Sequence, residues 1–373
     1  MLQFNRLYKK GSTVLMGIYL IVSLSIVLLG LAHKSLNSMT LSKYDKNTPS
    51  YFFTIPIFLL LFFISTFRGD FTTDYKNYTS LFNLYNKYSF SELLTAGFQN
   101  EIGFIYTNKI IGLFTDDVIY FFAIMSFFIL FGFIHHFKKY SVNIWLSVLM
   151  FVTAGSFYAS FNITRHIFAV AIIFAGSTYL YQRKFFKWVL VVILATLFHK
   201  TAIIMIPFYF ILNFRIKIRN WILIALCSAI TILLFDNIVQ FAQQYFYEQY
   251  SEDSYGMWGQ AISNIVLPVA FLIFSLFHLN KIDSNNTMHR IWFNAVIFYA
   301  FFNILALQIE MVERLGRFFA PYILLLIPYI FSKMKNKYLK ITYMTGLILI
   351  LVLYNYIILS DSVFDPYYFI WDE

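Results

Sequence analysis

Nine ionisable residues stand where a chain this apolar does not ordinarily put charge: Arg68, Asp70, Asp74, Glu101, Arg165, His199, Glu310, Arg314 and Arg317. Arg165 opens an apolar run in FNITRHIF, so its guanidinium would join the outward N–H groups of a helix N-terminus. That combination suits a phosphate, although an arginine snorkelling at a membrane interface is the plainer alternative. Its neighbour His166 is assigned to packing. His199, in LFHKTAI, lies between two half-length apolar runs. Interrupted helices often border sites, but a hydrogen-bonded structural histidine would fit there too. Asp74, in FRGDFTTDYKNY, is either a carboxylate able to accept a hydroxyl proton or a dipole partner in the first turn of a helix capped by Thr72 or Thr73. Glu310–Arg314 and Glu313–Arg317 are ordinary i,i+4 ion pairs, yet Arg314 and Arg317 share a face and could grip one diphosphate.

The elements that carry these residues follow from composition. Of 373 residues, 60% are apolar, 21% aromatic and 12% charged, with a mean hydropathy of +0.68. A soluble domain carries about 25% charged residues, so a water-soluble enzyme and a disordered chain are both excluded. The single cysteine, Cys227, rules out an internal disulfide and argues against a Cys-based metal site. No metal or other cofactor is called for. The net charge of +10 is spread over short clusters between apolar runs, which fits membrane topology and anionic lipid headgroups rather than nucleic acid.

Twelve apolar runs are predicted as transmembrane or half-membrane helices: 12–32, 51–67, 118–137, 142–160, 163–181, 186–199, 201–213, 220–235, 262–279, 291–309, 318–332 and 340–359. The class is all-α, a single polytopic membrane domain over 1–373. The short runs 186–199 and 201–213 are expected to form a hairpin with its tip at His199–Lys200; one long tilted helix is the competing arrangement. Alternation puts six basic loops on one face, which hold 17 of the 28 Lys and Arg but only two of the 18 carboxylates, Asp45 and Asp283. That face is predicted to be cytoplasmic. Arg6, Lys9 and Lys10 do not fit this assignment, as a cleaved signal-like segment or a misread first loop would explain. Two loops face outward, 68–117 and 236–261. In the first, Tyr75, Tyr78, Phe82 and Tyr85 recur at helical spacing and predict an amphipathic helix, while 102–114 is too short to span and is expected to re-enter. All the unusual charges then fall on the outer side. There is no Walker-type phosphate loop, GxSxG or HExxH, so ATP-driven transport has no support.

Five short strings occur in a fixed order: FRGDFTTDYKNY with Arg68, Asp74, Tyr75 and Tyr78; NEIGF with Glu101; YASFNITRHIFA with Arg165; FHKTAIIMIPFY with His199; and RLGRFFAPY, where Arg317 fits better than Arg314. Over about residues 55–330 this order resembles the EpsG family of Wzy-type bacterial polysaccharide polymerases, with His166 standing where the family carries Gln. The resemblance implies a multi-pass protein of the bacterial cytoplasmic membrane whose extracytoplasmic cavity, in a GT-C-like arrangement, joins lipid-linked repeat units into exopolysaccharide or capsule. The partner would be an undecaprenyl-diphosphate-linked oligosaccharide in a bed of membrane lipids, with a flippase and a chain-length regulator alongside. In that scheme Arg68, Arg165, Arg314 and Arg317 hold the diphosphate, and Asp74, Glu101 or His199 handles the acceptor proton. Open rings such as Tyr75, Tyr78, Tyr255 and Trp258 would stack on sugars or belong to an interfacial belt. A flippase of the lipid-linked unit, or a glycan ligase or acyltransferase, are the rival functions.

Overall fold

The computed structural model describes residues 17–39, 48–98, 100–215, 258–307, 311–359, 362, 364 and 366–372. The predicted run 220–235, Cys227, Tyr255, the basic N-terminal residues and most of the loop 236–261 lie outside them, as do the side chain of Trp258 and all of Glu310.

The described residues are all-α, with sixteen α-helices and no strand. In chain order they begin α1 (Gly17–Met39), α2 (Thr48–Thr66), α3 (Thr73–Asn86), α4 (Phe90–Thr95) and α5 (Ile102–Ile111). Next come α6 (Ile119–Tyr140), α7 (Ile144–Thr153), α8 (Ser156–Asn162), α9 (Thr164–Tyr181) and α10 (Phe185–Thr196). A 3₁₀ turn at Lys200–Ile204 leads into α11 (Met205–Ile211). The chain continues with α12 (Trp258–Phe277), α13 (Thr287–Leu305), α14 (Met311–Gly316), α15 (Ala320–Ser332) and α16 (Lys337–Leu359).

Each predicted apolar run among the described residues falls on one of these helices or on a neighbouring pair. Among the described residues two or three candidates are long and apolar enough to span alone. By length and composition, α6 and α16 can cross a membrane, and α7 with α8, bent by 44° at their junction, make a third candidate. The apolar helices α10, with 12 residues, and α15, with 13, rise only roughly 18–20 Å at about 1.5 Å per residue, short of a ~30 Å hydrocarbon layer. The single run read over 142–160 is broken because Gly155 takes φ +88°, a left-handed conformation that closes α7 and starts α8 on a new axis. The long-helix alternative for 186–213 is excluded, since α10 ends at Thr196 and helix resumes only at Lys200.

The chain divides into two compact units. The first comprises Met1–Ser177, Val189–Ile203 and Met334–Glu373. In it α2 packs along α6 and α1 against α2 and α7, while α16 returns to pack on α1 and α7. The α2 residues Phe53, Ile57, Leu61 and Ile64 are buried, whereas Phe52, Ile55, Leu59 and Phe63 are exposed. On α16 Leu349, Ile350, Leu353 and Ile357 are exposed as well. Apolar outer faces of that extent belong in lipid, and with the candidate spans they point to a membrane protein. The second unit, Thr178–Trp188 and Ile204–Lys333, packs α13 against α12, α14 and α15.

The predicted amphipathic helix is α3. Thr72 caps it, its Oγ1 accepting from the Tyr75 N–H at 3.3 Å, and Tyr75, Tyr78, Phe82 and Tyr85 form its buried face.

Candidate functional site

Three of the sequence strings meet within the first unit. Glu101 stands at the N-cap of α5 but does not cap it. Its carboxylate turns outward from its own helix: Oε2 accepts from Arg165 Nη1 at 2.7 Å and Oε1 from the Lys200 N–H at 3.1 Å. His199 Nδ1 is 3.5 Å from Oε1. The approach depends on Gly103, whose N–H donates to the Leu197 carbonyl at 2.8 Å. A Cβ there would sit 2.6 Å from that same oxygen, so only glycine lets α5 come this close to the 197–200 turn.

Arg165, in the first turn of α9, also donates from Nη1 to Asn100 Oδ1 at 2.7 Å. Asn100 in turn donates from Nδ2 to Tyr85 OH at 2.6 Å, and the Arg165 N–H reaches Tyr78 OH at 3.5 Å. The guanidinium lies 4.9 Å from the centre of the Phe104 ring and 5.9 Å from that of Tyr78. The His166 ring stands edge-on to the His199 ring at 4.6 Å. The charges are graded in depth. Arg165 is the exposed edge at 22% of its side chain, with Glu101 at 9% and His199 at 11% behind it. The arrangement offers a guanidinium to an anion and supports it from behind with a carboxylate and an imidazole.

Asp74 belongs to the same neighbourhood. Its N–H donates to Asn162 Oδ1 at 3.3 Å, three residues before Arg165, and its carboxylate raises the pKa of the Tyr78 hydroxyl, secondary to burial.

Arg68 is placed differently from the expectation. It is 1% exposed, and its guanidinium donates to the carbonyls of Ser65 and Phe161 and lies 4.4 Å from the Phe122 ring centre. Burial pushes its pKa down to about 10. Its guanidinium ties the end of α2 to the end of α8. Tyr75 and Tyr78 are buried as well. Tyr75 stacks on Phe122 at 4.3 Å, and Tyr78 packs among Phe104, Phe121 and Phe122. Helical spacing of aromatics marks a buried stripe as readily as a binding one.

Arg314 and Arg317 belong to the second unit. Arg317 Nη2 pairs with Glu313 Oε1 at 2.7 Å, the expected i,i+4 bridge; the Glu310–Arg314 pair lies outside the described residues.

Asn100 was not among the expected site residues, although it directly precedes Glu101 in NEIGF. The chain's last segment was missed as well. Gly69 N–H donates to the Tyr368 carbonyl at 2.7 Å and Ile370 N–H to that of Phe67 at 3.1 Å, making an antiparallel bridge between Arg68 and Phe369. Tyr367 OH donates to the Ile64 carbonyl at 2.8 Å and Tyr368 OH to Asp70 Oδ1 at 2.6 Å. Asp70 also pairs with Lys76 at 3.1 Å. The aromatic cluster YYFIW after the last apolar run was the available signal.

No curated protein and no solved structure matches this chain. A family model does: that of the EpsG family matches residues 50–370, nearly the whole length and every segment that builds the Arg165 cluster, and the chain belongs to the EpsG family.

Proposed function

We propose that this chain is a glycosyltransferase that polymerises lipid-diphosphate-linked oligosaccharide units on the outer face of a bacterial cytoplasmic membrane. Membership of the EpsG family points to exopolysaccharide biosynthesis; the polymerase step, the donor and the roles below are the finer reading. The observation that carries it is the convergence of Glu101, Arg165 and His199, from three separate segments, on one partly open cluster. In this reading the polypeptide crosses the membrane about twelve times, with its shorter apolar helices sharing spans or half-spans.

The reaction asks for an anion site and a base. The acceptor hydroxyl oxygen bonds to the anomeric carbon of the donor, the bond from that carbon to the diphosphate oxygen breaks, and the undecaprenyl diphosphate leaves with the electron pair. Arg165 meets the departing charge as a guanidinium fixed in advance by Glu101 and Asn100, which saves reorganisation at the moment of transfer. Glu101 and His199 act behind it as positioning groups. Asp74, half-buried on the neighbouring end of α3, takes the acceptor proton. A diphosphate-binding role for Arg314 and Arg317 rests on the string RLGRFF alone. The activated lipid supplies the driving force, so the scheme needs no nucleotide.

The test is reconstitution of the full chain with a defined lipid-linked repeat unit and size analysis of the product. Wild type should give a ladder of multiples, and Arg165→Ala should leave single units. Full-length polymer from Arg165→Ala would end the clamp assignment. In a deletion strain, single units accumulating on the outer leaflet would support the polymerase. Units retained inside would favour the flippase, and normal chains lacking attachment or acyl groups would favour the ligase or acyltransferase.

A further inference from the structure

At the N-terminal end of α13 the second unit draws three arginines towards one another. Trp292 Nε1 donates to Tyr181 OH at 2.9 Å, which holds the end of α9 beside α13. Asn294 Nδ2 donates to the carbonyls of Leu212 and Phe214, both at 2.9 Å, which holds the chain beyond α11 there as well. Arg183 follows Tyr181 by two residues, Arg215 follows Phe214 directly, and Arg290 lies in the first turn of α13.

Arg290 is the inner member, 5% exposed. Its Nη1 donates to the Ser284 carbonyl at 3.0 Å and its Nη2 reaches Thr287 Oγ1 at 3.5 Å, while its Nε, also buried, has no hydrogen-bond partner. Burial lowers its pKa, and the neighbouring Arg183 and Arg215 charges lower it further. The nearby carboxylate, Asp283, acts on His289. A buried guanidinium with two like charges beside it is costly unless an anion joins them.

Arg183 adds an independent sign. Its φ is +59°, in the left-handed region. The Arg183 N–H donates to the Leu180 carbonyl at 3.2 Å and the Lys184 N–H to that of Tyr179 at 2.9 Å, a helix ending that usually takes glycine at this position. An arginine there holds charge at a place the backbone would rather give to a residue without Cβ.

We propose that Arg183, Arg215 and Arg290 form a binding site for one phosphate group, presented by an anionic phospholipid headgroup. Guanidinium forks suit phosphate oxygens in pairs, and three of them around one group relieve the mutual repulsion. This phosphate site does not depend on the glycan chemistry proposed above. Free phosphate offers the same chemistry, so the experiment separates the two sources.

The full chain in neutral detergent is heated with phosphatidylglycerol, with phosphatidylcholine, or with inorganic phosphate at matched ionic strength, as wild type, Arg183→Gly and Arg290→Gln. Phosphatidylglycerol should raise the wild-type unfolding midpoint above that in phosphatidylcholine, and both variants should lose most of that difference. Arg183→Gly suits the local backbone and should unfold no earlier than wild type in detergent alone, so its lost response would report the site rather than misfolding. If inorganic phosphate reproduces the rise, the phosphate site stands and its natural ligand is soluble. Equal midpoints in the two lipids with no response to phosphate, or a full response in both variants, would overturn it.

Discussion

Arg165 Nη1 and Glu101 Oε2 stand 2.7 Å apart although 64 residues separate them in sequence. The pair joins the N-terminal ends of two helices, α9 and α5, and Glu101 extends the link to the 199–200 turn through the Lys200 N–H. A carboxylate that serves both a guanidinium and a backbone donor fixes the direction in which the guanidinium points. The Arg165 guanidinium is therefore held in one direction rather than left as a loose surface charge.

Arg165→Lys should accordingly fail where a simple charge requirement would let it pass. An ammonium keeps the charge but cannot reproduce the planar fork that places Nη1 on both Asn100 and Glu101. Losing charge-assisted bonds worth about 1.5–3 kcal/mol should lower polymerisation roughly 10- to 100-fold. Lys87→Arg, equally conservative and exposed just past α3, should leave it unchanged. Turnover of a lipid-linked unit by purified protein is the measurement, and an active Arg165→Lys enzyme would reduce the clamp to a generic positive charge.

Gly103→Ala should separate α5 from the 197–200 turn. The added methyl would meet the Leu197 carbonyl oxygen at 2.6 Å, so the backbone must move and the Glu101–Lys200 contact must stretch. Overpacking of this kind costs about 1–3 kcal/mol. Gly346→Ala is the matched control, because a Cβ at Gly346 in α16 meets nothing within 4 Å; it should be neutral or stabilise by up to about 1 kcal/mol. Thermal midpoints in detergent distinguish the two.

Much of the fold was legible because its signals are local. The apolar runs show in any window along the chain, and the α3 aromatics carry their own helical period. The kink at Gly155 was not legible, since nothing in YASFN or the preceding apolar residues says that the glycine takes a positive φ. Motif order drew attention to Glu101, Arg165 and His199, but not to their contact or to Asn100, a neutral residue that no charge count would select. The burial of Arg68, Tyr75 and Tyr78 was not legible either: residue type shows what a side chain can bind, and packing decides how far it is exposed. The pairing of 367–370 with 67–69 joins segments about 300 residues apart, and no local pattern encodes it.

Arg68 and Arg165 should therefore give opposite phenotypes. Arg68→Ala empties a site packed by Phe122 and Phe161 and strips donors from the carbonyls of Ser65 and Phe161. The expected cost is about 2–5 kcal/mol, seen as lost protein and a lower unfolding midpoint. Arg165→Ala, at a partly exposed position, should keep protein level while polymer disappears. Polymer per unit of membrane-inserted protein is the deciding ratio; a fall in that ratio for Arg68→Ala, with the midpoint unchanged, would return Arg68 to the substrate.

The C-terminal segment should be released by acid. The Tyr368 hydroxyl, donating to Asp70 at 2.6 Å, holds that carboxyl below its ordinary value, and Lys76 adds to the effect. With the folded value depressed, the tether contributes fully above the unfolded carboxylate pKa of about 3.9 and is lost as pH falls through the lower, folded value. Hydrogen exchange at the Ile370 amide, which donates to Phe67, should quicken across that acid window beyond the intrinsic trend. Tyr368→Phe should already exchange faster at neutral pH and show a weaker acid step, because only Lys76 and a backbone hydrogen bond then favour the ionised carboxylate. Identical profiles for wild type and Tyr368→Phe would mean that the ring packing of Tyr367, Phe369 and Trp371 holds the segment without help from Asp70.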